Sequence, residues 1–514
     1  MYELSINNAA RERFQDYSLS ELNSALDADQ QRLVSLIERG RGPYLLRGSA
    51  GTGKTSVLIH GLFAATRYRP LLRNSRILYV TYTNALAVTA GNQIARLSRP
   101  SNPLIDVRTA YSIVSEIIRS GPGNEEQLDI KDHDNPDLSN QLEAAIGDYE
   151  NIVSDGLRKM VAVLVRRGMT TEYLLGEIEE VLVANNFQSV FSYYDHTRSR
   201  KKFRLSRPER AIVWNIARSF EQRLESRRWT TWPRRARTAR QIVENNDHSI
   251  PNYDAIFIDE AQDLPPNIIH LLVELCRSDD DNVERLFLST DADQTIYGSG
   301  QAWIGVHPDL QLTGRSQILR KNYRCTPEIA EAAKAYFSGA ELEDERPTSE
   351  YVFSGPVPVF IHVLDRREEL DTIATFLRSS TQMIGRGLDV CAVLVPSHER
   401  GRQIARGLVA SGIAAEFMLR KDVDLNFEGV KVLTLHSAKG LGFPIVAVCL
   451  ATQADHRVSD PNEQQELFDY LKRLNHMGMT RSLHALLVTL PATHRPERFA
   501  GVAPPLWQQG RPQN

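Results

Sequence analysis

One stretch constrains this chain more than any other: Gly48-Ser49-Ala50-Gly51-Thr52-Gly53-Lys54-Thr55, which fits the pattern G-x-x-x-x-G-K-[ST]. It follows the apolar Tyr44-Leu45-Leu46, which reads as a buried strand, and precedes Ser56 to Leu62, which can open a helix. Strand, glycine-rich loop and helix form the setting in which this pattern cradles phosphate. The glycines let successive backbone N–H groups turn inward around phosphate oxygens, and the helix N-terminus adds a favourable dipole. Lys54 is expected to reach the β- and γ-phosphates, and the Thr55 hydroxyl to ligate Mg²⁺. Gly48 to Ser56 is therefore expected to hold a nucleoside triphosphate.

At 514 residues the chain is long for one core and suggests two to four domains. Its 42% hydrophobic and 24% charged residues are ordinary for a soluble globular protein. A net charge of −3 decides nothing about nucleic acid, because a basic groove can hide in a neutral total. Cys276, Cys325, Cys391 and Cys449 lie far apart, without the paired spacing of a zinc or iron–sulfur site, and fit reduced thiols. No signal pattern opens the chain and no apolar run approaches the roughly 20 residues of a membrane span, so a soluble, cytoplasmic protein is expected.

In chain order, Leu33, Leu36 and Ile37 make an apolar helical stripe behind an N-cap at Asp27 or Asp29. Ile77 to Thr81 reads as a strand. From Ser112 to His248 the patterns become long amphipathic helices, and arginines cluster. One run holds Arg198, Arg200, Lys201, Lys202, Arg204, Arg207 and Arg210; a second, Arg227 to Arg240, is interleaved with Trp229 and Trp232. Such runs suit phosphate backbones and stacked bases, or equally a solvated helix face. Strands resume at Ala255 to Ile258, which delivers Asp259-Glu260-Ala261-Gln262-Asp263, and at Arg285 to Thr290. Val357 to Val363, Val390 to Val395 and Val430 to Leu435 alternate with helical spacing at Arg366 to Leu377 and Glu399 to Val409, which argues for a second doubly wound sheet. The expected plan is α/β: a first core in two parts (1–111 and 249–314), a mainly helical basic insertion (112–248), a second core (315–490) and a flexible tail (491–514).

These clusters, in this order, resemble the UvrD/Rep/PcrA-like branch of the superfamily 1 DNA helicases. Gln30 matches the family's adenine-reading glutamine, and Thr81-Tyr82-Thr83-Asn84 its T-F-T-N segment. Thr109-Ala110-Tyr111-Ser112 is a weaker match to the next DNA-contact motif. Asp259-Glu260-Ala261-Gln262-Asp263 matches its Walker B form letter for letter, and Asp291 to Tyr297 its D-x-x-Q-S-I-Y. Asn322-Tyr323-Arg324, Thr434 to Leu441 and Gly478-Met479-Thr480-Arg481 supply the later motifs.

The resemblance implies two RecA-like P-loop NTPase cores, each a parallel sheet flanked by helices, with ATP and Mg²⁺ in the cleft between them. Asp259 would hold Mg²⁺ with Thr55, and Glu260 would accept a proton from the attacking water. Gln294 would contact the γ-phosphate, and Arg324 and Arg481 would act as arginine fingers. Tyr323 would stack on adenine, and Gly440 would line the nucleotide. Thr81, Tyr82, Asn84, Thr109, Tyr297, Trp303 and His436 become candidate contacts to a DNA strand, with Arg198, Arg200, Lys201 and Lys202 from the insertion. Departures accompany the matches: Gly442 stands where the family has a glutamate on the nucleotide sugar. Ser299 replaces an aromatic for which nearby Trp303 can substitute, and Arg324 and His436 are too close in sequence to admit the family's large second insertion.

Three readings follow. The first is a 3′–5′ ATP-dependent helicase or translocase acting on single-stranded or tailed duplex DNA. The second is a nucleic-acid-stimulated ATPase subunit of a larger machine, with a nuclease or phage-defence partner. The third is a binding scaffold that has lost hydrolysis, against which the intact Lys54, Asp259, Glu260, Gln294, Arg324 and Arg481 speak.

Overall fold

The computed structural model describes residues 26–39, 42–49, 51–68, 76–98, 104–121, 128–132, 135–166, 171–196, 205–245, 252–276, 285–290, 306–312, 314–323, 325–337, 350–351, 354–419, 423–425, 427–439, 441–450, 461–491 and 502–509. The first sheet takes β1 (Tyr44–Arg47), β2 (Arg76–Thr81) and β3 (Leu104–Thr109) from the front of the chain. After a short pair, β4 (Asp129–Ile130) with β5 (Trp229–Thr230), it resumes with β6 (Ala255–Ile258), β7 (Leu286–Thr290) and β8 (Ser316–Ile318). All six strands run parallel in the order β3-β2-β6-β7-β1-β8.

A parallel sheet covered on both faces needs strands apolar on both sides, and these are. In β2 and β6 alternate residues go to opposite faces. Ile77, Tyr79, Ala255 and Phe257 join Leu33, Ile37, Val57, Leu58 and Leu62 of the helices Ala28–Glu38 and Lys54–Tyr68. Leu78, Val80, Ile256 and Ile258 join Ile113, Ile117, Ile268 and Leu272 of the helices Ala110–Ser120 and Pro266–Glu274.

Between β3 and β6 lies the helical segment, with helices Pro136–Ile152, Asp155–Arg166, Thr171–Glu177, Val190–Asp195, Arg207–Ser226 and Trp232–Glu244. Most of it packs around its own core of Leu138, Leu142, Ile178, Ile212, Ile216 and Phe220. Its last helix, Trp232–Glu244, instead places Ala236 and Ala239 in the first sheet's core.

Another short pair, β9 (Lys321–Asn322) with β10 (Glu350–Tyr351), precedes the second sheet. That sheet holds β11 (Val359–Val363), β12 (Cys391–Val395), β13 (Ala415–Phe417), β14 (Val430–Thr434), β15 (Phe443–Cys449), β16 (Ser482–Pro491) and β17 (Gln508–Gln509), all parallel in the order β13-β14-β12-β15-β16-β11-β17. The chain is thus α/β with parallel sheets flanked by helices.

Two expected boundaries move. β8 pairs with β1, so the first sheet runs on past residue 314. The stretch expected to be a flexible tail contains β17, and Trp507 is buried with its indole N–H donating to Ala332 O (3.1 Å). Polar, proline-rich composition hid two apolar anchors there, Val502 and Trp507; full burial of one such side chain is worth on the order of 2–3 kcal/mol. Among the described residues no helix is long and apolar enough to cross a membrane.

Candidate active site

β1 ends at the phosphate loop, and the loop's shape depends on residues without a Cβ. Gly51 and Gly53 have φ of 90° and 83°, in the left-handed region. A Cβ on Gly53 would also lie 2.4 Å from Gln30 Nε2. Lys54, the first residue of the following helix, is buried and folds back over the loop, donating from Nζ to Gly48 O (2.7 Å) and Ser49 O (3.1 Å). The Thr52 hydroxyl donates to Ser49 O (3.0 Å) and braces the turn. Ser56 sits in the first turn of the helix, and Ala50 lies outside the described residues.

β6, two strands from β1, delivers Asp259 and Glu260 at its C-terminal end. The Asp259 carboxylate is buried and accepts from the hydroxyls of Thr55 (2.7 Å), Tyr79 (3.1 Å) and Ser289. The Glu260 backbone N–H donates to Ser289 Oγ (3.1 Å), so a relay of donors runs from Glu260 through Ser289 to Asp259. Glu260 itself has φ 54°, a left-handed conformation that costs a non-glycine residue about 1–3 kcal/mol and concentrates at functional sites. Its carboxylate accepts from Gln262 Nε2.

The two acids are driven apart electrostatically. Burial and the neighbouring Glu260 charge push the Asp259 carboxyl up, and the Ser289 and Thr55 hydroxyls only partly offset them. Burial opposes ionisation of Glu260 too, but Lys54, Gln262, Arg481 and Lys439 outweigh it and hold that carboxyl below its usual range. Lys54 comes from the first sheet's side; Arg481 and Lys439 come from the second. Charges from both cores therefore favour the ionised form of one carboxylate.

Arg481, next to the start of β16, is fully buried, with Nε donating to Met477 O (3.0 Å) and Nη1 to Leu441 O (3.1 Å). Lys439 forms an ion pair with Asp263, the last residue of the Walker B stretch, and each side chain is only 4% exposed. A buried pair of this kind is costly to break from either side, because the partner is left as a lone charge in a dry setting.

At the other end of the loop, Asp27 caps the helix Ala28–Glu38. Its carboxylate accepts from Gln30 N–H (2.7 Å), and Gln30 Oε1 accepts from Asp27 N–H (3.2 Å), a reciprocal capping box. Gln30 Nε2 then donates to Thr52 O (3.2 Å), and the Tyr323 hydroxyl donates to the second Asp27 oxygen. Tyr323 N–H donates to Gly51 O (2.9 Å). Burial works against ionisation of Asp27, but the Tyr323 hydroxyl and the Gln30 N–H overcome it and hold its carboxyl low. Burial and that same carboxylate push the Tyr323 hydroxyl up.

The residues expected to touch DNA fall into three groups. Thr81 is buried, its hydroxyl turned to Thr83 O (3.1 Å), and Thr109 caps the helix Ala110–Ser120 by accepting from Ser112 N–H (3.3 Å). Asn84 is exposed at the start of the helix Asn84–Leu97, and Tyr82 and His436 are half-buried. Tyr82 also heads an aromatic row: its ring is 6.3 Å from Tyr111, which is 5.1 Å from Trp232 of the helical segment. Gln294, Tyr297, Trp303, Arg324, Gly440, Arg198, Arg200, Lys201 and Lys202 lie outside the described residues.

In the second arginine run Arg227 and Arg228 are exposed, but the arginines of the helix Trp232–Glu244 are buried or half-buried. Arg234 pairs with Glu179 (3.0 Å) and Glu221 (3.0 Å), Arg237 with Glu221, and Arg240 with Glu244 (2.8 Å), while Arg235 is buried. The acids of Arg234 and Arg237 come from other helices, Glu179 from 178–183 and Glu221 from Arg207–Ser226, so the sequence run alone could not reveal those pairings, whereas Arg240 pairs with Glu244 one turn along its own helix.

Sequence reasoning left several members of this site without a role. Asp27 appeared only as one of two possible caps, although the spacing of Asp27 and Gln30 is the capping-box signature. Tyr79 and Ser289 sit inside strands that read as core. Lys439 and Asp263 lay within quoted motifs, but nothing local to either shows that they meet.

The family model of the UvrD/REP helicase N-terminal domain matches residues 26–307. Among solved structures, the C-terminal domain of a possible DNA helicase from Lactobacillus plantarum WCFS1 is similar over 36% of this chain and 98% of that one, with 19% identity and a TM-score of 0.28. That likeness is too slight to support an argument. No curated protein matches the chain.

Proposed function

Because this chain belongs to the UvrD/REP helicase family, we propose that it is an ATP-driven translocase on single-stranded DNA, moving 3′ to 5′ and separating the duplex ahead of it. The observation that carries this reading is the buried ion pair between Asp263 of the first core, three residues after Glu260, and Lys439 of the second. A site assembled from two cores is completed when they close and opened when they part, so turnover can move a strand bound across both.

The residues fit their proposed tasks. The backbone N–H groups of Gly48 to Ser56 and the Lys54 ammonium hold the phosphates. Thr55 Oγ1 and Asp259 Oδ2, 2.7 Å apart, are hard oxygen donors of the kind magnesium prefers, and Asp259 forms no ion pair among the described residues. When bound, Mg²⁺ neutralises charge on the phosphate oxygens. Glu260, held ionised, takes a proton from water, and Arg481 with Arg324 stabilises charge on the transferring group. Gln294 contacts the γ-phosphate, Gly440 lines the nucleotide, and Gln30 and Tyr323 read and stack on adenine. Tyr82, Tyr111 and Trp232 form a platform for successive bases, with Asn84, Thr109, Tyr297, Trp303 and His436 alongside.

A second reading has its own support. With Arg234 and Arg235 buried and the half-buried Arg237 and Arg240 paired with acids, fewer free cations face a duplex than the sequence implies, which favours a DNA-stimulated ATPase subunit with little unwinding of its own. Unwinding assays on tailed duplexes separate the two. A duplex with a 3′ single-stranded tail is expected to be opened and one with a 5′ tail left intact. Hydrolysis without separation of either duplex would transfer the conclusion to the second reading.

A further inference from the structure

We propose that His270, Glu274 and His307, completed by Glu244, form a binding site for one divalent transition-metal ion of the zinc type. None of the four belongs to the nucleotide site. His270 and Glu274 lie four residues apart on the helix Pro266–Glu274 and so share a face. Glu244 ends the helix Trp232–Glu244, and His307 follows the stretch that carries Gln294.

The ligand atoms stand at coordination spacing. His307 Nε2 is 2.8 Å from Glu274 Oε1, and His270 Nε2 is 3.7 Å from Glu274 Oε1 and 3.0 Å from Glu244 Oε1. The potential ligand atoms of His270, Glu274 and His307 all lie within 4.8 Å of one another. Ligands held about 2.0–2.1 Å from a tetrahedral ion sit about 3.3 Å apart, in the middle of these separations. The imidazoles are only 9% and 8% exposed, whereas the carboxylates are 35–38% exposed, which leaves an entry path on the acidic side.

Hydrogen bonding orients His270 for this role. Its Nδ1 is 3.1 Å from Val306 O, and a carbonyl can only accept, so Nδ1 carries the proton. In the neutral ring that leaves the Nε2 lone pair aimed at two carboxylate oxygens. Lone pairs facing each other at 3.0 Å repel unless a proton or a cation lies between them. A metal cation resolves the conflict. The arrangement of backbone carbonyl, imidazole and metal is the usual outer support of a histidine ligand.

His307 needs one rearrangement. Its Nδ1 accepts from Asp309 N–H (3.1 Å), which puts the ring proton on Nε2, toward Glu274. Metal binding moves that proton to Nδ1, which gives up the bond from Asp309 N–H and turns to Asp309 Oδ2, now 3.7 Å away, as acceptor. Arg240 competes for Glu244 (2.8 Å), so Glu244 is the weakest of the four ligands. Two imidazoles with two carboxylates suit zinc or a neighbouring transition ion rather than magnesium or calcium. The ion would brace the last helix of the helical segment against the first core.

The test uses the full, untagged chain, stripped of metal and titrated with Zn²⁺ against a chromophoric chelator in excess Mg²⁺, which keeps the Asp259 site occupied. One Zn²⁺ per chain is expected at about micromolar affinity or tighter, with Co²⁺ giving a tetrahedral visible spectrum and Zn²⁺ raising Tm. His307→Gln and Glu274→Gln are each expected to weaken Zn²⁺ binding at least about tenfold and to remove the Co²⁺ bands. Circular dichroism checks that each variant is folded, and the half-exposed Glu274 carries the comparison should His307→Gln unfold. Absence of tight Zn²⁺ binding, or binding undiminished in both folded variants, overturns the assignment.

Discussion

Glu260→Gln is expected to lower kcat for ATP hydrolysis by about 10²–10⁴-fold, the range a positioned general base contributes, while ATP affinity changes by no more than a few-fold. The substitution keeps the side chain's length and shape and removes only its capacity to take a proton. Glu260 suits that role because Lys54, Gln262, Arg481 and Lys439 favour its ionised form despite burial, and its left-handed backbone is a strained conformation of the kind that concentrates at functional sites. Asp259 does not suit it: its carboxylate already accepts three hydroxyl hydrogen bonds and faces Thr55. Steady-state phosphate release together with binding of a fluorescent ATP analogue checks this. A variant retaining most of its kcat would mean that another group activates the water.

Lys54→Ala is expected to reduce kcat/KM for ATP by about 10²–10³-fold, the loss typical of removing one preorganised charge-stabilising donor. Its ammonium is buried at the loop's mouth, tied to Gly48 O and Ser49 O, so it is already placed when phosphates arrive. The loss should exceed that of a simple binding contact, since Lys54 is also the strongest favourable influence on the Glu260 charge. Alanine is well tolerated at a helix start, so thermal unfolding should remain cooperative. Single-turnover kinetics, which separate binding from chemistry, are the appropriate readout. Wild-type turnover in this variant would remove the loop from the reaction.

What could be read from the chain and what could not divides along physical lines. The phosphate loop, the apolar strands and the acids at the end of β6 are local patterns, and local patterns survive in a bare sequence. The alternation that sends Ile256 and Phe257 to opposite faces is of the same kind. Partnerships between distant residues are different. Asp263 and Lys439 are 176 positions apart, and only the fold brings them together. Arg234 and Arg237 looked like part of a phosphate-binding run until their acids arrived from other helices. The C-terminal stretch looked loose because its average composition is polar, although Val502, Trp507 and the pairing of β17 with β11 dock residues 502–509. At the His270 cluster only the four-residue spacing of His270 and Glu274 is local; Glu244 and His307 come from another helix and a connecting segment.

The most direct test of the proposed motor is ATP hydrolysis by the full chain measured with no nucleic acid, with saturating single-stranded DNA and with single-stranded RNA of the same sequence. Single-stranded DNA is expected to raise the rate at least about tenfold, a coupling of roughly 1.4 kcal/mol, and RNA to raise it less. A rate unchanged by single-stranded DNA would contradict a strand-driven motor.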